Sequence, residues 1–98
     1  MRYRIRWSHQ ARISYLSILE YLEINWSFKE VEEFSQRVEE VVRFTSINPK
    51  IYPSSDVNKN VRKAVVTKQV SLFFEINDGF IDLLFLWDNR QNPSNKKL

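Results

Sequence analysis

The chain has 98 residues, 43% of them hydrophobic, with seven Phe, three Trp, one Gly and three Pro. That composition predicts one folded domain with few breaks and argues against disorder. With no cysteine and a single histidine, His9, disulfides, thiol catalysis and a structural zinc site are excluded by count, and a reducing cytosolic setting is expected. The formal charge of +3 is uneven. Residues 1–48 carry seven basic and seven acidic side chains, and residues 49–98 carry eight against five. A modest basic excess of this kind fits either a solvated face or an acidic or phosphate-bearing partner.

The opening "RYRIRW" alternates with period two, placing Tyr3, Ile5 and Trp7 on one side and Arg2, Arg4 and Arg6 on the other. This predicts a strand with one buried face and no secretion signal. The period then turns helical. Ala11, Tyr15, Ile18, Leu19, Leu22 and Trp26 form one stripe, with Ser8 placed to cap the helix. Ser27 and Glu30 read as a capping box, flanked by Trp26 and Val31 as a hydrophobic staple. The second helix carries Val31, Phe34, Val38, Val41 and Val42 and stops at Asn48-Pro49. Two helices joined this tightly should pack as an antiparallel hairpin.

Residues 49–60, "PKIYPSSDVNKN", predict a loop long enough to suggest function. Three strands follow: "VRKAVV", "QVSLFFEI" after Thr67-Lys68, and "FIDLLFLW" after the turn Asn77-Asp78-Gly79. Alternation in the last strand puts Ile81, Leu83, Phe85 and Trp87 on one face and Asp82, Leu84 and Leu86 on the other. Apolar residues on both faces mark a central or doubly covered strand. No apolar run approaches the roughly 18–20 residues of a membrane span. The order β-α-α-β-β-β predicts an α+β domain spanning residues 1–98, with a helical hairpin on one face of a mostly antiparallel sheet.

Candidate chemistry is sparse. Arg62, in the first strand of the meander, and Arg90, after the last, are expected to converge on the sheet face away from the helices. There their planar guanidinium forks would suit a phosphate. Lys50, Lys59, Lys63, Lys68, Lys96 and Lys97 flank them. His9 reads as a surface residue. Glu32, Glu33, Glu39 and Glu40, with Arg37 and Arg43, read as a solvated helix face. Trp7, Trp26 and Trp87 read as core or staple residues. No phosphate loop, paired carboxylates or Ser/His/Asp set is visible, and no metal or cofactor is expected.

An N-terminal strand ending in Trp, the helix pattern "A…YL..I.EYL...W", the Phe in the next helix, then "VRKAVV", "VSLFFEI" and "IDLLFLWDNRQNPSNK" together resemble the RelE/ParE superfamily of type II toxin–antitoxin toxins, including the plasmid stabilisation subgroup. The resemblance implies two helices against an antiparallel sheet and a cognate antitoxin that wraps the active surface. It implies one of two activities: inhibition of DNA gyrase by ParE-like members, or metal-free cleavage of mRNA at the ribosome by RelE-like members. For cleavage, Arg62 and Arg90 match the family's arginines and would clamp the phosphate, with Lys50, Tyr52 and Lys59 as candidates for proton transfer. Nuclease members usually carry a Tyr or His near the C-terminus. The tail "QNPSNKKL" carries neither, which turns the expectation towards a ParE-like or divergent toxin. A degenerate toxin that only binds its antitoxin is the third possibility.

Overall fold

A computed structural model describes residues 2–56 and 58–90. Strand β1 (Arg4–Trp7) leads into helix α1 (His9–Asn25) and helix α2 (Phe28–Ile47). A 3₁₀ turn (Pro49–Ile51) and an irregular segment then reach β2 (Val61–Val65), β3 (Val70–Asn77) and β4 (Phe80–Asp88). The four strands form one sheet in the order β1-β4-β3-β2. β1 runs parallel to β4, and the other two pairings are antiparallel. The expected α+β architecture is therefore present, with β4 in a central position. Lys96 and Lys97 lie outside the described residues.

Local chemistry explains the boundaries. The Ser8 hydroxyl accepts from the Ala11 N–H at 2.9 Å, satisfying a donor that the first turn leaves free. Ser27 accepts from the Glu30 N–H at 3.4 Å, and its hydroxyl donates to the Glu30 carboxylate at 2.9 Å. This is a variant of the reciprocal cap, since the carboxylate takes the hydroxyl. The β3–β4 turn uses Asp78 and Gly79, both at positive φ; glycine carries no Cβ penalty there.

The hairpin covers one sheet face. Ile18 and Leu22 of α1 and Phe34 and Val38 of α2 share a core with Ala64, Leu72, Phe74, Ile81 and Leu83. Two expectations need correction. Trp26 is not a core residue: it is 58% exposed, beside the exposed Ile24 and Phe28 at the hairpin tip. The alternation in β4 also breaks midway. Phe74 stands opposite Leu83 but Phe73 opposite Phe85, so Leu84 is an extra residue in a bulge. Ile81 and Leu83 are buried before it, Leu86 and Asp88 after it. Phe85 and Trp87 thereby turn to the face away from the helices, where the Phe73 and Phe85 rings meet edge-on at 4.7 Å.

On that face Arg6 and Asp82 form a bidentate pair, the second contact at 2.9 Å. Asn77 donates to the same carboxylate at 2.8 Å, and the Arg6 guanidinium lies 3.9 Å from the Phe80 ring centre. The Arg6 hydrogen bond, helped by Asn77, holds the Asp82 carboxyl below its ordinary range. A depressed carboxyl stabilises the fold above its unfolded pKa, and that contribution is lost as pH falls through the folded value. Urea unfolding followed against pH should therefore show a midpoint that falls below about pH 4, the ordinary carboxylate range. Asp82→Asn should flatten that part of the fall.

Beyond Leu83, β1 has ended and α1 takes over the same side of β4. The Ser8 hydroxyl donates to the Leu84 C=O at 3.0 Å, and Ser14 Oγ accepts from the Leu86 N–H at 2.9 Å. Ser14→Ala strands that part-buried N–H and should cost about 1–3 kcal/mol. The check is chemical denaturation beside Arg12→Ala, a change at an exposed position of the same helix.

Candidate functional site

The loop between α2 and β2 folds back along the outer edge of β2. The Ser55 N–H donates to the Val61 C=O at 2.6 Å and the Lys63 N–H to the Pro53 C=O at 3.0 Å. Arg62 stands opposite Phe74 in the register, on the same face as Ala64 and therefore on the helix side of the sheet. Its guanidinium turns into the loop and donates from one NH1 nitrogen to the Tyr52 C=O at 2.6 Å and the Lys50 C=O at 3.4 Å. The Tyr52 ring packs edge-on against Phe74 at 5.9 Å, and burial raises its hydroxyl pKa. Lys59, Asn60 and Arg62 line an open cleft of about 420 Å³ with Glu75, Ile76 and Asn77.

This corner thus brings together Arg62, Lys50, Tyr52 and Lys59. Lys50 and Tyr52 are tied to Arg62 through their carbonyls; Lys50 is exposed, and the Tyr52 ring is half-buried against the core. Chemically, the corner offers a guanidinium anchored on one side, a lysine on the cleft wall and a phenol. A guanidinium held by neutral carbonyls keeps its full charge for an anion.

Arg90 lies elsewhere, contrary to the expected convergence. Asp88 pairs with Val70, four residues along β3 from Phe74. At about 3.3 Å per residue the two arginines are separated by roughly 13 Å along the strand direction alone. The Arg90 Nε and NH2 bind the two Asp88 carboxylate oxygens, each at 3.1 Å, and its backbone N–H donates to Oδ1 at 2.8 Å. The Asp88 side chain is wholly buried and that of Arg90 only 26% exposed. A buried carboxylate must keep its partner, since an uncompensated charge there costs several kcal/mol. Arg90 also lies 5.8 Å from the Tyr21 ring centre. It lines a cleft of about 530 Å³ with Leu22, Glu30, Glu33, Phe34 and Arg37.

The remaining candidates are plainly placed. His9 and the glutamates Glu32, Glu33, Glu39 and Glu40 are exposed on the helices. Arg37 donates to the Val66 C=O at 2.9 Å, tying α2 to the end of β2. Among the described residues the ion pair on α2 is Lys29–Glu33, at 4.0 Å. Sequence reasoning missed Asp88 as the partner of Arg90 and Asp82 as that of Arg6. The Asp-x-Arg spacing was the available signal for the first. The second depends on a register between β1 and β4 that crosses 76 residues.

No protein-family model and no curated protein matches the sequence. Solved structures do match in shape. A chain of the chromosomal ParDE TA system from P. aeruginosa superposes with a TM-score of 0.75 at 14% identity, covering 89% of this chain and 96% of that one. For the toxin–antitoxin complex RelBE2 from Mycobacterium tuberculosis the TM-score is 0.63 at 15% identity, with 90% and 99% covered. For YafQ from E. coli it is 0.56 at 13% identity, with 92% and 97% covered. A two-helix hairpin on a four-stranded mixed sheet, shared over almost the whole length of each, gives this chain the fold of the RelE/ParE-type toxins.

Proposed function

We propose that the chain is the toxin of a type II toxin–antitoxin pair, held inactive by a cognate antitoxin, and that it acts in the ParE manner by inhibiting DNA gyrase through protein contact. The observation that supports this branch is the separation of the two arginines. A metal-free nuclease needs cations gathered on one scissile phosphate. Here Arg62 stands level with Phe74 while Arg90 follows Asp88, which is level with Val70 at the end of β3, and the Arg90 charge is already matched by Asp88. The higher structural overlap with the ParDE chain than with the RelBE2 and YafQ chains points the same way.

One observation favours the RelE-like reading, in which the chain cuts mRNA at the ribosome. Arg62, Lys59 and Tyr52 share one corner, so a single guanidinium could hold the phosphate while the lysine or phenol moves the proton.

Inducing the chain alone in cells, with transcript ends and plasmid topology read from the same culture, separates these. Under the gyrase reading growth stops, supercoiling falls, transcript ends stay unchanged, and Arg62→Ala alters toxicity by less than about threefold. Transcripts cut at fixed codon positions, lost with Arg62→Ala, would transfer the assignment to the nuclease. Unimpaired growth would leave a chain that only binds its antitoxin.

A further inference from the structure

The two helices of the hairpin meet water differently. Every exposed position of α2 from Lys29 to Arg43 is charged or an amide, as on the outer side of an ordinary surface helix. The outer side of α1 is apolar like its inner side. Ile13, Leu16 and Ile24 are 46%, 62% and 73% exposed. At about 100° per residue they fall within roughly 80° of one another, opposite the buried Ala11, Ile18 and Leu22. Trp26 and Phe28, also exposed, carry the apolar surface past the helix end. A continuous apolar patch on so small a domain marks a contact surface.

The charges beside the stripe specify what covers it. The first half of α1 carries Arg12 and the second half Glu20 and Glu23, all exposed. Among the described residues none of the three enters an ion pair within the chain. Arg12 and Glu23 lie on one flank of the stripe, roughly 20° apart in helical projection. A copy of the helix laid alongside in parallel would set arginine against arginine and glutamate against glutamate. Laid antiparallel about a two-fold axis, each flank meets its own equivalent end for end. With that axis level with Ile18, Arg12 faces Glu23 of the second copy, and Glu20 flanks the same arginine one turn nearer the axis. The same axis sets Ile13 against Ile24 of the second copy and places the two Leu16 side chains on either side of it. The apolar residues and the charged ones thus require a single register.

We propose that the outer side of α1 binds a second copy of this chain, antiparallel about a two-fold axis level with Ile18. The contact is one helix on another, about 25 Å long and with axes roughly 8–10 Å apart. Such an interface is small, so the dimer is weak and reversible. Apolar burial supplies its affinity, and the Arg12–Glu23 pairs fix its direction. Neither the partner nor the register depends on the toxin reading above.

Sedimentation of the purified chain between about 1 and about 500 µM, the range in which weak complexes dissociate, tests it. The mass should rise from monomer to dimer, and Leu16→Glu should weaken the dimer at least about tenfold by burying a charge. Arg12→Glu and Glu23→Arg, each alone, should weaken it at least about threefold at low salt and less at high salt. Combined, they should bring it back to within about twofold of the unaltered chain, because the pair is restored with its signs exchanged. Glu32→Arg, at an exposed position of α2, should leave it unchanged. Circular dichroism melts that match the unaltered chain show that no variant acts by unfolding. A chain that stays monomeric throughout overturns the inference. So does a dimer indifferent to Leu16→Glu, or a double variant no tighter than the single ones. A monomer whose Leu16→Glu variant no longer binds the product of the neighbouring reading frame assigns the face to the antitoxin and overturns it too.

Discussion

The structure depends on how β4 is hydrogen-bonded along both sides. It is one of the two inner strands and the longest, and each of its backbone groups buried away from water needs a partner. β3 supplies one side throughout. On the other side β1 reaches only from Phe80 to Leu83, where the chain leaves the sheet to begin α1. Beyond it the Leu84 C=O and the Leu86 N–H are taken up by the hydroxyls of the capping Ser8 and of Ser14 in that helix. The capping serine of α1 therefore does two jobs, ending the strand pairing and starting the helix. This binds the hairpin to one face and fixes which β4 side chains enter the core.

Much of this was legible in the sequence because it follows from short-range periodicity. The 3.6-residue stripes of α1 and α2, the serine caps and the Asp78-Gly79 turn each depend on residues within a few positions of one another. What was not legible depends on comparison between distant strands. The Leu84 bulge cannot be read from "FIDLLFLW", because an extra residue is defined only against the partner strand. It reverses the face assigned to Phe85 and Trp87. The parallel β1–β4 pairing is equally non-local, and with it the Arg6–Asp82 contact. Trp26 failed for another reason: its place in the stripe was right, but α1 ends at Asn25, and the chain turns before the ring can reach the core.

The two arginines singled out by sequence show how a shared motif can carry different work. Arg90 answers a charge that the fold has buried, and its geometry is explained by Asp88 without any ligand. Among the described residues Arg62 is held by neutral carbonyls, which position it without cancelling its charge. Of the two, only Arg62 has electrostatic attraction left to give an external anion. Function in a shared fold is set by such local differences, and here they separate the pair that a nuclease would use together.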